Sequence, residues 1–361
     1  MSVAPPAPGV LITGASGFIG GHVAAEARRV STERLALLSH RTAVALPYGN
    51  GDVGDGRSGR DDRPGRDDRT GLDDRTGRDD RTGGGSGGCG DRREVLRSAD
   101  LSAPASLRGV CEGVHTLVHC ASLIGDRAED CDAVNDRGTR ALVQEAVRCG
   151  VRRIVYVSTA AVHGRGAFRG ASGDRPPPVA PVSAVSRSRA AAERHVLDAG
   201  GTVLRPHLVY GAGDRWVVPS LAALDRLLGA RLTGITAAQS LVDVADLARA
   251  VVAAALTPRP LAAVYYVGHP EPVDGTRLMD AVREVLGRAP HAATTGLGAV
   301  RARLAGQPRV LEHVERLAAD HWFADDRIWG ELDCPPGPGF AARLPRYADW
   351  YREFLNVRHT G

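Results

Sequence analysis

Residues Val10 to Gly20 read Val-Leu-Ile-Thr-Gly-Ala-Ser-Gly-Phe-Ile-Gly, an apolar run closed by three glycines at spacing three. A short continuous run of branched apolar residues suits a strand buried on both faces. The stretch that follows, to Arg29, is compatible with a helix, so the segment predicts strand, tight turn and helix. Gly14 lets the backbone turn sharply, Gly17 lets an anion approach the main chain, and Gly20 lets the helix pack close to the strand. The first N–H groups of that helix have no partners of their own and would hold phosphate. A chain carrying this segment is directed towards a parallel sheet with a dinucleotide site at its edge.

Composition narrows the remainder. The 361 residues exceed one compact domain but suit a nucleotide-binding domain with a smaller lobe. A net charge of +4 is small for this length and implies no nucleic-acid or anionic-membrane partner. Six cysteines form no C-x-x-C pair and no His/Cys metal spacing, which fits reduced thiols and no metal. No run approaches 18 apolar residues, and Met1 to Gly9 has no basic and apolar leader pattern, so the expected location is cytoplasmic. Every one of the 46 basic side chains other than histidine is arginine; lysine is absent.

Between residues 49 and 90 the composition changes. Gly59-Arg-Asp-Asp-Arg-Pro is followed by three near-copies starting at Gly65, Gly71 and Gly77, then by a Gly/Ser tail. Almost without apolar residues, this repeat cannot build a core and is expected to be a disordered insertion between the second and third strands.

Thr13-Gly-x-x-Gly-x-x-Gly20, with Phe18 and Ile19 inside it, resembles the loop of the extended short-chain dehydrogenase/reductase family. Further matches are Asn135, Gly138 and Thr139 of its Asn-x-x-Gly-Thr helix, Val157-Ser-Thr-Ala-Ala-Val-His-Gly164, and Leu204-Arg-Pro-His-Leu-Val-Tyr-Gly211. The resemblance implies an α/β fold: a Rossmann-type doubly wound parallel sheet over 9–205 and, mainly over 206–355, a substrate lobe with interleaved sheet elements. It implies that Gly14, Ser16, Gly17, Phe18, Ile19, Gly20, Asp100, Leu101, Cys120, Ala121, Ser122, Pro206 and Leu208 touch the cofactor. At the end of the second strand, Ser39, His40 and Arg41 stand where an acid would bind a ribose 2′-OH, which favours NADPH/NADP+, with Arg41 as phosphate clamp. Thr159 falls at the family's active-site Ser/Thr, and a homodimer is also implied.

One part of the family pattern is missing. Aligning Ser188, Arg189 and Glu193 with its Ser-Lys-x-x-x-Glu helix puts Arg189 at the lysine and Val185 at the tyrosine of Tyr-x-x-x-Lys. No tyrosine lies between Tyr156 and Tyr210. Hydride transfer to a ketone makes an alkoxide, which needs a proton and stabilisation of its charge. Valine supplies neither, and a guanidinium supplies only charge. Arg189 is therefore expected at the nicotinamide ribose, with the proton coming from His163, from His207, from a serine of the 183, 186 and 188 group through water, or from a phenol on the substrate itself. The last option points to NADPH-dependent reduction of a ring ketone in an aromatic, angucyclinone-type polyketide, a chemistry assigned to an atypical ketoreductase of this family. A non-catalytic NADP(H) sensor and a nucleotide-sugar reductase or epimerase are the alternatives.

Overall fold

The computed structural model describes residues 9–40, 94–324 and 327–357. The repeat at 49–90 and Arg41 lie outside the described residues. Seven strands form the main sheet: β1 (Val10–Thr13), β2 (Leu35–Ser39), β3 (Glu94–Ser98), β4 (Thr116–His119), β5 (Arg153–Val157), β6 (Thr202–Pro206) and β7 (Val264–Val267). All pairings are parallel, in the order β7-β6-β5-β4-β1-β2-β3. The order reverses beside β1, so the connections leaving β1 and β4 diverge to opposite sides and open a crevice at the C-terminal ends of the strands. The expected Rossmann-type α/β class is the observed one.

Successive side chains of a strand point to opposite faces, and two cores follow from that alternation. On one face Ile12, Val118, Val155 and Val157 pack under α1 (Phe18–Val30) and α5 (Val244–Leu256). On the other, Leu11, Leu117 and Tyr156 pack under α2 (Thr139–Arg148) and α3 (Ala184–Asp198). Burying each such aliphatic side chain contributes about 1.5–3 kcal/mol. Helix α3 starts at a capping box in which Ser183 Oγ accepts from the Ser186 N–H and Ser186 Oγ accepts from the Ser183 N–H, both at 3.0 Å.

A third core joins α4 (Val217–Leu228), α6 (Gly275–Val285) and α8 (Ala348–Val357) through Leu221, Leu224, Leu278, Val282 and Tyr351. The expected division near residue 205 is crossed in both directions. Val264–Val267 returns to the main sheet, while Phe168–Ala171 leaves the first segment to pair with His321–Phe323. The amphipathic stretch from Arg301 to Asp320 is two helices, Leu297–Arg303 and α7 (Pro308–Leu317). Proline in the first turn starts the second helix because its missing N–H costs nothing there. Among the described residues no helix is long and apolar enough to cross a membrane.

Candidate active site

The turn after β1 is built by close backbone contact. Gly14 sits at φ +71°, and a Cβ on it would lie 2.7 Å from the Ala121 nitrogen at the end of β4. A Cβ on Gly20 would lie 2.1 Å from the Gly14 carbonyl oxygen. Any side chain at either position pushes α1 or β4 away. Thr13 binds the two strand ends together: its Oγ1 accepts from the Cys120 and Ala121 N–H groups, both at 3.2 Å, and lies 2.6 Å from His119 Nδ1. His119 Nε2 is 2.9 Å from Thr139 Oγ1. Burial pushes the His119 imidazole down to about 3, so it is neutral, with Thr13 donating to Nδ1 and Nε2–H donating to Thr139. It is a strut of the crevice floor.

The crevice itself has a volume of about 610 Å³ and is lined by Gly14, Ser16, Gly17, Phe18, Ile19, Gly20, His40, Asp100, Leu101, Cys120, Ala121, Ser122 and Arg189. Thirteen of the residues expected at the cofactor thus share one cleft. Gly17 caps α1 without a side chain, and the first turn holds no acid, leaving the helix N-terminus open to an anion. Asp100 Oδ1 accepts from the Ser102 N–H at 2.8 Å, and its Oδ2 lies 2.8 Å from His40 Nε2. Arg189 donates from Nη2 to the Val157 carbonyl at 2.6 Å. Its Nε and the Ser122 hydroxyl are buried with no hydrogen-bond partner among the described residues. Orphaned donors beside an open helix end fit an oxygen-rich ligand such as a dinucleotide.

Other expected residues stand apart. Pro206 ends β6 and is buried, Leu208 begins a short strand packed into the third core, and neither lines the crevice. Thr159 lies between Val157 of the crevice and Ala160 of a second cavity, and caps the following turn by accepting from the Ala161 N–H at 3.2 Å. Val185, at the tyrosine position, is partly buried. Among the tryptophans of the chain, Trp216 is 57% exposed at the rim of the crevice. Trp329 is core and donates to the Gly268 carbonyl, and Trp322 stands over Gly170.

The second cavity, about 700 Å³, was not visible in any local motif, because its lining comes from four distant stretches: Ala160 to Gly166, Val182 to Ser186, His207, and Pro308 to His321. The proton-donor candidates sort themselves around it. His163 is 2% exposed, its Nδ1 is 3.0 Å from the Pro178 carbonyl and its Nε2 2.6 Å from the Tyr266 hydroxyl. Burial lowers its pKa, so it is a neutral core residue rather than an acid. His207 does face the cavity, but burial, His321 and Arg316 push it down to about 3. Neither histidine carries a spare proton at neutral pH. Ser188 is committed to the Val185 carbonyl and Asn135, while Ser183 and Ser186 line the cavity as the cap of α3.

A model of the 3-beta hydroxysteroid dehydrogenase/isomerase family matches residues 90–282, more than half of the 361. The chain belongs to that family. It is therefore a member of an oxidoreductase family, as the resemblance to extended short-chain dehydrogenases implied. The sterol-4-alpha-carboxylate 3-dehydrogenase (decarboxylating) of Saccharomyces cerevisiae is 33% identical over 143 residues, which is 37% of this chain and 41% of that enzyme. The 2-alkyl-3-oxoalkanoate reductase of Stenotrophomonas maltophilia is 27% identical over 62% of this chain and 77% of its own. The chain thus spans about two fifths of the yeast relative's length. Among solved structures, the Bordetella bronchiseptica enzyme WbmH in complex with NAD+ superposes with a TM-score of 0.67 at 18% identity, covering 96% of this chain and 99% of that one. The dTDP-glucose 4,6-dehydratase DesIV of Streptomyces venezuelae gives 0.62 at 19% identity, covering 96% and 98%. At such identities the likeness is one of fold.

Proposed function

We propose that the protein is a nicotinamide-dinucleotide-dependent ketoreductase that reduces a ring ketone of an aromatic, angucyclinone-type polyketide to a secondary alcohol. The observation that carries this reading is the pairing of Arg189, in the nucleotide crevice, with Val185 where the family places its acid. In this the chain is similar to the angucyclinone ketoreductase of simocyclinone biosynthesis, an atypical family member. The names of the relatives, dehydrogenases of sterols and reductases of 3-oxoalkanoates, support carbonyl and alcohol chemistry on apolar substrates.

The open N-terminus of α1 would hold the diphosphate, Asp100 and Leu101 the adenosine end, and Arg189 the nicotinamide ribose. The bound group would supply hydride. Arg189 also places a permanent positive charge at the crevice, able to stabilise negative charge at a nearby oxygen. Because His163 and His207 are neutral, the proton comes from the substrate: a phenol beside the ketone donates to the new alkoxide, and the protein positions the two. NADPH is preferred, supported by Ser39 and His40 replacing an acid at the end of β2.

The test follows NADPH oxidation with a polycyclic ketone flanked by phenols and with its methyl ether. Turnover of the free phenol alone, with both compounds bound, supports the reading. Equal turnover places the acid on the protein. Turnover of neither, with tight NADPH binding, favours a non-catalytic sensor. Arg41→Ala is expected to weaken NADPH far more than NADH, and equal losses would remove the 2′-phosphate assignment.

A further inference from the structure

Gln239 is a buried polar side chain behind His207, which lines the second cavity. Its Nε2 amide faces three carbonyls, those of Ala319 at 2.8 Å, Arg316 at 3.3 Å and Leu317 at 3.4 Å. Only the NH2 group can donate to them, so Oε1 is fixed as the end that points away. Oε1 lies 3.4 Å from His207 Nε2. An amide oxygen only accepts, so Nε2 of His207 carries the imidazole hydrogen and Nδ1 carries a lone pair. His321 lies parallel to His207, with ring centres 5.4 Å apart and planes 9° apart, and uses its own Nδ1 on the Ala319 carbonyl at 3.0 Å. Phe323 packs against His207 from a third side.

Ala160, Ala161, Gly164, Val182, Leu311 and Ala319 supply an apolar part of the lining, which the hydroxyls of Ser183 and Ser186 and five charged side chains complete. The charges largely satisfy one another: Arg165 and Arg316 both bond Glu312, and Glu315 bonds Arg301, while Arg309 is exposed. A cavity of about 700 Å³ is in the range that takes a compact organic ligand.

We infer that His207 is a specificity-determining residue whose Nδ1 accepts a hydrogen bond from a hydroxyl on an uncharged, mainly apolar ligand in this cavity. The role is the reverse of a general acid: His207 selects ligands that donate. Its depressed pKa, set by burial, His321 and Arg316, agrees with a lone pair that persists in mildly acidic solution. The inference rests on the proposed reductase function, to which it adds this cavity as the place where the ligand sits, but its test needs no turnover.

Equilibrium binding of 2-naphthol and of 2-methoxynaphthalene to the full chain is the test. One hydrogen bond predicts a preference for the naphthol of about 2- to 13-fold, unchanged from pH 8 to pH 5. In His207→Phe the preference is expected to vanish, and Val182→Trp, at the exposed mouth, should weaken both probes alike. Equal affinities in the unaltered protein, a preference lost as pH falls through 6.5, a preference kept by His207→Phe, or binding indifferent to Val182→Trp would each overturn the inference. The preference without ketone turnover leaves His207 in this role and removes the reductase reading. Turnover without the preference removes only His207.

Discussion

Replacing Glu193 with glutamine tests how the helix that carries Arg189 is fastened to the sheet. Glu193 lies one turn beyond Arg189 on α3 and is 2% exposed; Arg205, on β6 beside Pro206, is 4% exposed. They form a two-pronged pair, Nε to Oε1 at 3.0 Å and Nη2 to Oε2 at 2.6 Å. Among the described residues the remaining nitrogen of Arg205 reaches the Tyr266 hydroxyl at 3.5 Å and neutral His163 at 3.4 Å, so no other charge among these contacts compensates it. Removing one member of a buried pair costs about 3–5 kcal/mol, and because glutamine keeps one acceptor the lower end is expected here. Urea denaturation should show that loss. Glu193→Gln combined with Arg205→Met should lose less than the two single losses added together, because the stranded charge is gone. A loss under about 1 kcal/mol in the single variant, or strict additivity in the double, would refute the argument that this pair is dry and isolated.

Three further outcomes follow. Gly20→Ala drives a methyl group against the Gly14 carbonyl; fluorescence titration should show dinucleotide affinity reduced by about tenfold or more, with a stability loss of about 1–3 kcal/mol. Thr159→Ala removes a cap on the Ala161 N–H and should cost about 1 kcal/mol of stability, while turnover falls less than about tenfold; a loss near 10⁴ would place its hydroxyl in proton transfer. His119 has a folded pKa of about 3 against 6.5 when unfolded, so in that window the unfolded chain binds the extra proton and stability falls with pH. Between pH 6.5 and 5 this contributes a loss of roughly 1.6 kcal/mol. His119→Gln, measured at both values, should show a correspondingly smaller decline, and an identical decline would refute the assignment.

The gathering of the expected residues into one crevice was legible because its determinants are local. A strand, three glycines and a helix lie within twenty residues, and each glycine position answers a contact within the same turn or with the next strand. Asp100 and Cys120 to Ser122 were added by the family resemblance, and they line the same crevice. Burial across long separations was not legible. His163 looked like a possible acid until Pro178 and Tyr266 closed around it. The second cavity depends on α7 standing across from the start of α3, a juxtaposition of residues more than a hundred apart that no periodicity announces. Pro206 and Leu208 were carried over from the family's pattern, and they are not among the residues lining the crevice.

The exchange of a lysine and a tyrosine for Arg189 and Val185 changes what a pH–rate curve of this protein would report. An ammonium and a phenol ionise near the alkaline edge of such curves and give an enzyme its own limb there. A guanidinium and an isopropyl group have no ionisation in that range. The alkaline limb would then belong to whichever ligand phenol is bound, and would move from one substrate to the next with the acidity of that phenol. The protein would supply a fixed field, and the compound would bring its own titration.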